Sequence, residues 1–234
     1  MKKNRFIALT AALVALTACN TAPKVAPAIP QDKDIEAKVE KLLKNMTLEE
    51  KIGQMTQITS TAIANGLEIT PAGDSIIRTY KVGSILNTPG GIAQTPEGYD
   101  KFVQEINRIT LEATGTPTLY GLDHIHGTSY VLGGTLFPQE INLAASFNRT
   151  HAYNMGMVTA YESAANVPWT FSPTMDLGRN PEWPRMWESF GEDTYVNAQM
   201  AVAEVRGMQG EDPNHVGPYH IAACAKHFMG YGVP

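Results

Sequence analysis

The sequence predicts an α/β fold built on a parallel sheet with helical crossovers, repeated about four times. Three observations carry this expectation. Short apolar runs suited to strands alternate with segments bearing apolar residues every three or four positions. Such alternation signals parallel strands joined through helices. In three of the four units a polar cluster follows the C-terminal end of the strand, where (β/α) barrels and doubly wound sheets both place their chemistry. A barrel of eight units needs roughly 250 residues, and about four units fit into these 234 residues. The expected architecture is therefore about the first half of a (β/α)8 TIM-type barrel, with the chain halting beyond a strand tip at Pro234.

The elements follow in order. A first helix is expected over residues 32–43, with Ile35, Val39, Leu42 and Leu43 on one face. Thr47 followed by Glu50 forms a capping box that opens a second helix through Lys51 and Met55. Residues 82–86 make a buried-strand candidate ending in the turn Pro89-Gly90-Gly91. Residues 99–113 are helical, presenting Phe102, Val103, Ile106 and Ile109 on one side. A second strand over 118–122 leads into Asp123-His124-Ile125-His126-Gly127. A short helical turn over 139–145 precedes a helix at 150–166 and a third strand at 169–171. The helix at 194–209 carries Val196, Met200, Val202, Val205 and Met208 as apolar positions, and a fourth strand over 221–225 delivers Lys226 and His227.

The N-terminus has its own logic. Lys2, Lys3 and Arg5 precede the apolar run 6–16, which is too short to span a bilayer and has the three-part layout of a secretory signal over residues 1–18. Leu16-Thr17-Ala18-Cys19 resembles a bacterial lipobox, implying cleavage before Cys19 and acylation of its sulfur. Each buried acyl methylene would contribute about 0.8 kcal/mol of membrane affinity. The Ala- and Pro-rich residues 19–31 then read as a tether between lipid and a domain at 32–234. Export to the periplasm or outer membrane follows, with membrane contact through the lipid alone. Cys224 would remain as the one cysteine of the mature chain, without a disulfide partner, and reads as a small core residue. Removing residues 1–18 leaves 15 Lys and Arg against 23 Asp and Glu. An acidic body without a basic stripe argues against a nucleic-acid partner.

The chemistry concentrates between Phe171 and Asp193, read with Lys226-His227. Arg179, Arg185, Asp176, Glu188, Trp183 and Trp187 crowd into one loop between a short strand and a long helix. Planar aromatic faces suit the C–H surface of a sugar ring, and charged forks suit its hydroxyls. Beside this stand plainer roles: Trp183 and Trp187 packing under the loop, Glu192-Asp193 capping the following helix, and His126 bracing the Asp123 loop.

Five stretches together resemble the N-terminal barrel domain of glycoside hydrolase family 3, the β-glucosidase and exo-β-glucanase family. They are Lys51-Ile52-Gly53-Gln54-Met55, Gly121 to Gly127, Thr135-Leu136-Phe137-Pro138-Gln139, Ser172 to Asp193, and Ala225-Lys226-His227-Phe228. They occur in the family's order and cover nearly everything from about residue 40 onward. The resemblance implies that Asp123, Arg185, Lys226 and His227 bind the hydroxyls of a terminal non-reducing sugar, with a β-linked oligosaccharide or glucoside as partner. It implies retention through an aspartate nucleophile and a separate acid/base, and no metal or organic cofactor. The family's nucleophile sits in a Ser-Asp-Trp-like segment that this sequence lacks, so no catalytic residue is assigned and the nucleophile is expected beyond Pro234. Asp176, Glu188, Glu192 and Asp193 read instead as caps, loop anchors or arginine partners.

Two departures stand out. Pro184 replaces a glycine common in the family, fixing φ near −65° ahead of Arg185. Phe228 lacks the following proline usual in the N-acetylglucosaminidase branch, which favours the glucosidase branch. The sequence admits two other readings. One is a non-catalytic, truncated sugar-binding lipoprotein. The other is a metal-dependent amidohydrolase-like barrel, suggested by His124-x-His126 with a later lysine. Against the second, that histidine pair follows the first strand of such barrels, whereas here an apolar strand precedes it.

Overall fold

A computed structural model describes residues 31–163, 167–212, 214–228 and 230–233. The expected signal, Cys19 and nearly all of the tether lie outside the described residues. None of the described helices is long and apolar enough to cross a membrane.

The chain divides into two units at Lys38/Val39. In the first, Asp32 starts helix α1 (Lys33–Asn45), its carboxylate accepting from the Asp34 and Ile35 N–H groups. The expected helix forms, and its apolar residues Ile35, Val39, Leu42 and Leu43 are all exposed; α1 buries none of its residues.

The second unit is a parallel sheet with crossover helices. Strands β1 (Gln57–Thr59), β4 (Ser84–Leu86), β5 (Leu119–Leu122) and β6 (Trp169–Thr170) lie side by side in that order, all parallel. A small antiparallel hairpin, β2 (Ala64–Asn65) with β3 (Glu68–Ile69), stands apart from them. Helix α2 (Leu48–Gln54) opens on the Thr47–Glu50 capping box, both of whose bonds form. Helices α3 (Pro71–Tyr80) and α4 (Pro96–Thr114) start alike: Thr70 and Thr95 each accept from the N–H three residues on, and proline takes the first helical position. Between these helices and the sheet lies one core of Ile63, Ile77, Ile85, Tyr99, Phe102, Ile106, Ile109, Tyr120 and Leu122. Each such side chain contributes about 1.5–3 kcal/mol on burial. The phenols buried there are satisfied: Tyr120 donates to Asn87 O at 2.6 Å and Tyr99 to Tyr130 O at 2.9 Å.

A second core joins α5 (Glu140–Ala145), α6 (Arg149–Ser163) and α7 (Thr194–Gln209) through Leu143, Ala152, Met155, Phe190 and Met200. Helices α6 and α7 cross backbone to backbone. A Cβ added at Gly156 would lie 2.3 Å from Glu204 O, and one at Gly207 would lie 2.1 Å from Tyr153 O. Small residues at the crossing, not a bulky stripe, are what let these helices meet.

Several expectations need correction. The fourth strand over 221–225 does not form a continuous ladder. Its segment touches its neighbour through two isolated parallel bridges, Trp169↔Ala222 and Thr174↔Lys226. Between the two bridges the Thr174 N–H, which continued pairing would aim at Cys224 O, goes to Glu140 Oε1 instead. Cys224 is partly exposed and free, not a core residue. Val202 on α7 is exposed as well. Strand β1, helix α3 and the β2–β3 hairpin were not anticipated.

Candidate functional site

The site grows from strand ends. Asp123 follows β5, whose Gly121 faces the Phe171 ring; a Cβ there would lie 2.6 Å from that ring, so glycine lets β5 and β6 approach. Beyond Asp123 the loop is pinned from two sides. The Glu162 carboxylate on α6 accepts from Thr135 N and from the Thr128 and Thr135 hydroxyls at 2.6–2.7 Å. His126 bonds Phe137 O through Nδ1 at 2.8 Å, the bracing role expected of it.

Asp123 Oδ1 accepts from Lys226 Nζ at 2.6 Å, across 103 residues of chain. The lysine head is largely buried, at 10 % exposure, while Asp123 keeps 37 %. Backbone bonds hold the lysine's segment. Cys224 N donates to Ser172 O, Lys226 N to Pro173 O and Met175 N to Lys226 O. The Ser172–Pro173 and Lys226–His227 peptide bonds are cis.

His227 is fixed twice by buried Asp176, whose Oδ2 lies 3.0 Å from the His227 N–H and 2.7 Å from Nδ1. The Tyr231 ring meets His227 edge-on at 4.8 Å and Trp183 at 5.8 Å, and the Arg185 guanidinium lies 5.6 Å from the same ring. Arg185 is itself held in a fork by Glu188, Nε to Oε1 at 2.6 Å and Nη2 to Oε2 at 2.5 Å. That bonding raises the guanidinium above its ordinary value, and it aims Arg185 independently of Pro184. Of the two tryptophans expected to pack under the loop, Trp183 is buried, while Trp187 is exposed and donates its Nε1 hydrogen to Pro184 O. Asp193 caps α7 by accepting from Val196 N, as expected.

The four expected binding residues therefore meet unequally. Lys226 joins Asp123 directly, and His227 follows it in sequence. Arg185 and His227 line one open cleft of ≈ 740 Å³ with Trp183, Phe228 and Tyr231. Asp123 lies outside that lining, in a smaller cavity of ≈ 180 Å³ with Thr59, Asn87 and Tyr130. Lys226 reaches Asp123, and the next residue, His227, lines the larger cleft. Burial first, then the Asp123 and Glu188 carboxylates together, push the Tyr130 phenol up, so Tyr130 feels both. Tyr231 and Asp176 emerge as site residues that were not assigned there from sequence; the aromatic two residues before Val233 gave a signal, whereas Asp176's bond to His227 gave none.

The two histidines after β5 go separate ways. The His124 ring is fully buried beside Tyr130, at 6.0 Å, and burial lowers it to about 4, so it stays neutral. His126 turns to Phe137 O instead. Among the described residues no three His, Cys, Asp or Glu side chains gather as a metal site.

The arrangement can bind a polyol. A lysine ammonium has three donors and spends one on Asp123. Arg185 spends two of its five on Glu188. Among the described residues His227 Nε2 has no partner, and Asp123 Oδ2 stays open to accept. Arg185 and His227 thus meet at the Tyr231 ring, and the Asp123–Lys226 pair adds an acceptor and donors one residue before His227.

Residues 47–233 match the Glycosyl hydrolase family 3 N terminal domain. The chain belongs to this family. It is 38% identical over 212 residues to a lysosomal beta glucosidase of Dictyostelium discoideum, covering 84% of this chain and 26% of that protein. It is 35% identical over 207 residues to a periplasmic beta-glucosidase of Salmonella typhimurium, covering 88% of this chain and 24% of that protein. The crystal structure of an exo-1,3/1,4-beta-glucanase from a Pseudoalteromonas species superposes with a TM-score of 0.77 at 32% identity, over 88% of this chain and 26% of that one. The family 3 domain seen here thus spans about a quarter of the length of the relatives it matches. Its parallel sheet and crossover helices are part of the barrel that the resemblance implied.

Proposed function

We propose that this chain supplies the sugar-binding part of a retaining β-glucosidase site, gripping the terminal non-reducing β-D-glucosyl residue of an oligosaccharide or glucoside. The observation that carries this reading is the Asp123–Lys226 pair at 2.6 Å, with His227 next in the chain and lining one cleft with Arg185 at the Tyr231 ring. Charge-assisted bonds to hydroxyls are strong and directional in a partly dry pocket, and such a site rejects analogues lacking the hydroxyl. Tyr231 would face the sugar's C–H surface.

In a retaining glycosidase one carboxylate attacks the anomeric carbon while an acid protonates the leaving oxygen; water then reverses the step. The carboxylates nearest the pocket are engaged otherwise: Asp123 with Lys226, Asp176 with His227 and Glu188 with Arg185. We therefore assign these residues to binding, and place the nucleophile and the acid/base in parts of the whole protein outside this sequence. A saturable change in Trp183 fluorescence on adding millimolar glucose, stronger than with xylose and lost in Trp183→Phe, is the expected result. A flat titration with both sugars overturns the reading.

Export with a lipid anchor at Cys19 is the companion proposal, supported by the lipobox and by the periplasmic relative. Cys19→Ser should abolish incorporation of labelled palmitate and move the protein from the membrane to the soluble fraction. Unchanged partition would remove the anchor.

A further inference from the structure

Beneath the site lie two glutamates that sugar binding does not use. Glu140, in the first turn of α5, and Glu204, on α7, are both fully buried. They meet on Ser172. Its hydroxyl lies 2.6 Å from Glu204 Oε1 and 3.4 Å from Glu140 Oε1. The two carboxyl oxygens are therefore within about 6 Å of each other, a range in which one negative charge opposes the next. Thr174 N donates to Glu140 Oε1 at 3.2 Å. The second oxygens, Glu140 Oε2 and Glu204 Oε2, have no partner among the described residues.

A serine hydroxyl carries a single hydrogen. The shorter contact gives it to Glu204, so Ser172 cannot also donate to Glu140. Two ionised carboxylates would then be buried short of donors and would repel each other, which is costly. One proton held between them relieves both problems: it removes a charge and supplies the missing donor. Burial raises Glu204 to about 8, and burial with the Glu204 charge raises Glu140 as well. The groups facing the pair are Ser172 and Thr174 from the segment after β6, each other from α5 and α7, and the Lys226 ammonium, which opposes the rise only in part.

What the pair grips is the backbone under the site. Ser172 O accepts from Cys224 N, Pro173 O accepts from Lys226 N, and Thr174 bridges Lys226. We propose that Glu140 and Glu204 share one proton across Ser172 and act together as positioning residues for Lys226, loosening the 172–174 and 224–227 segments when that proton leaves. The consequence for sugar rests on the binding reading above; the shared proton does not.

The sign follows from proton counting. Between the ordinary glutamate value and about 8, the folded protein holds a proton that the unfolded chain has released, so stability falls as pH rises through that window. The thermal midpoint of the wild-type protein should drop on the order of 10 °C between about pH 5 and about pH 8. Amides of Thr174, Cys224 and Lys226, corrected for intrinsic exchange, should lose protection over the same range. Glu204→Gln and Glu140→Gln each build in a permanent donor and should flatten both profiles. Infrared absorption of a neutral buried carboxyl should be present in the wild type at pH 5 and persist at pH 7, where ordinary glutamates have lost theirs, which needs no variant to fold. Parallel pH profiles in wild type and both glutamine variants, or no such absorption, would overturn the shared proton. Should the melts and exchange behave as expected while glucose binds at no pH, the pair stands and the sugar reading falls. With both intact, glucose affinity should weaken about tenfold across the window in the wild type and stay level in Glu204→Gln.

Discussion

Asp123→Asn should cut glucose affinity on the order of 100-fold, the largest loss expected from any single substitution at the site. Two effects combine. The amide gives up the charge that strengthens each hydroxyl contact, about 1.5–3 kcal/mol for a hydrogen bond to a charged group. It also leaves the largely buried Lys226 ammonium without its partner at 2.6 Å, so the lysine turns toward water and away from the sugar. The accompanying stability loss should stay near about 1–2 kcal/mol. Asp123 is 37 % exposed, and water screens the pair well below the cost of breaking a fully buried one. Titration calorimetry with glucose, beside urea unfolding of the same preparations, separates the two effects. Wild-type affinity in Asp123→Asn would remove Asp123 from the site altogether.

Gly207→Ala should be the most damaging change to the fold. Alanine is the better helix former by about 1 kcal/mol, so propensity alone predicts a gain. Packing decides otherwise. The new methyl would sit 2.1 Å from Tyr153 O and 2.8 Å from Met157 N, backbone atoms of a packed helix that cannot step aside. Overpacking of this kind costs about 3 kcal/mol or more, enough to lose most of a marginal domain's stability. Urea unfolding should show a lowered midpoint or no soluble protein. A midpoint at or above the wild-type value would mean that α6 and α7 separate freely.

How much of this was legible in the sequence depends on which physical signal each element leaves. The Thr47–Glu50 capping box and the long helix over α4 were readable because caps and amphipathic spacing are local. Helix α3 carries an equally local signal in Thr70-Pro71, a cap followed by proline at the first helical position. Strand β1 offered only Gln57-Ile58-Thr59, three residues with one apolar side chain, too few to mark a period. Residues 221–225 gave the opposite error: a run of small apolar residues imitates a strand, while a donor it needs, Thr174 N in its neighbour, is taken by Glu140.

At the site, Asp123, Arg185, Lys226 and His227 were named from motifs, but motifs do not give pairings. That Lys226 takes Asp123, and that Glu188 takes Arg185, follows from how strand ends fan out in space. Glu140 and Glu204 were the least legible. A glutamate on a short helix reads as solvent-facing, and only the packing of α5 and α7 around Ser172 puts both inside.

The join between the two site segments is made by main-chain atoms: Cys224 N to Ser172 O, Lys226 N to Pro173 O and Met175 N to Lys226 O. Proline apart, such links are indifferent to which amino acids occupy positions 175, 224 and 225. Variation there can retune the shape and polarity of the pocket wall while the lysine stays anchored, so one scaffold can drift among related sugars without being rebuilt.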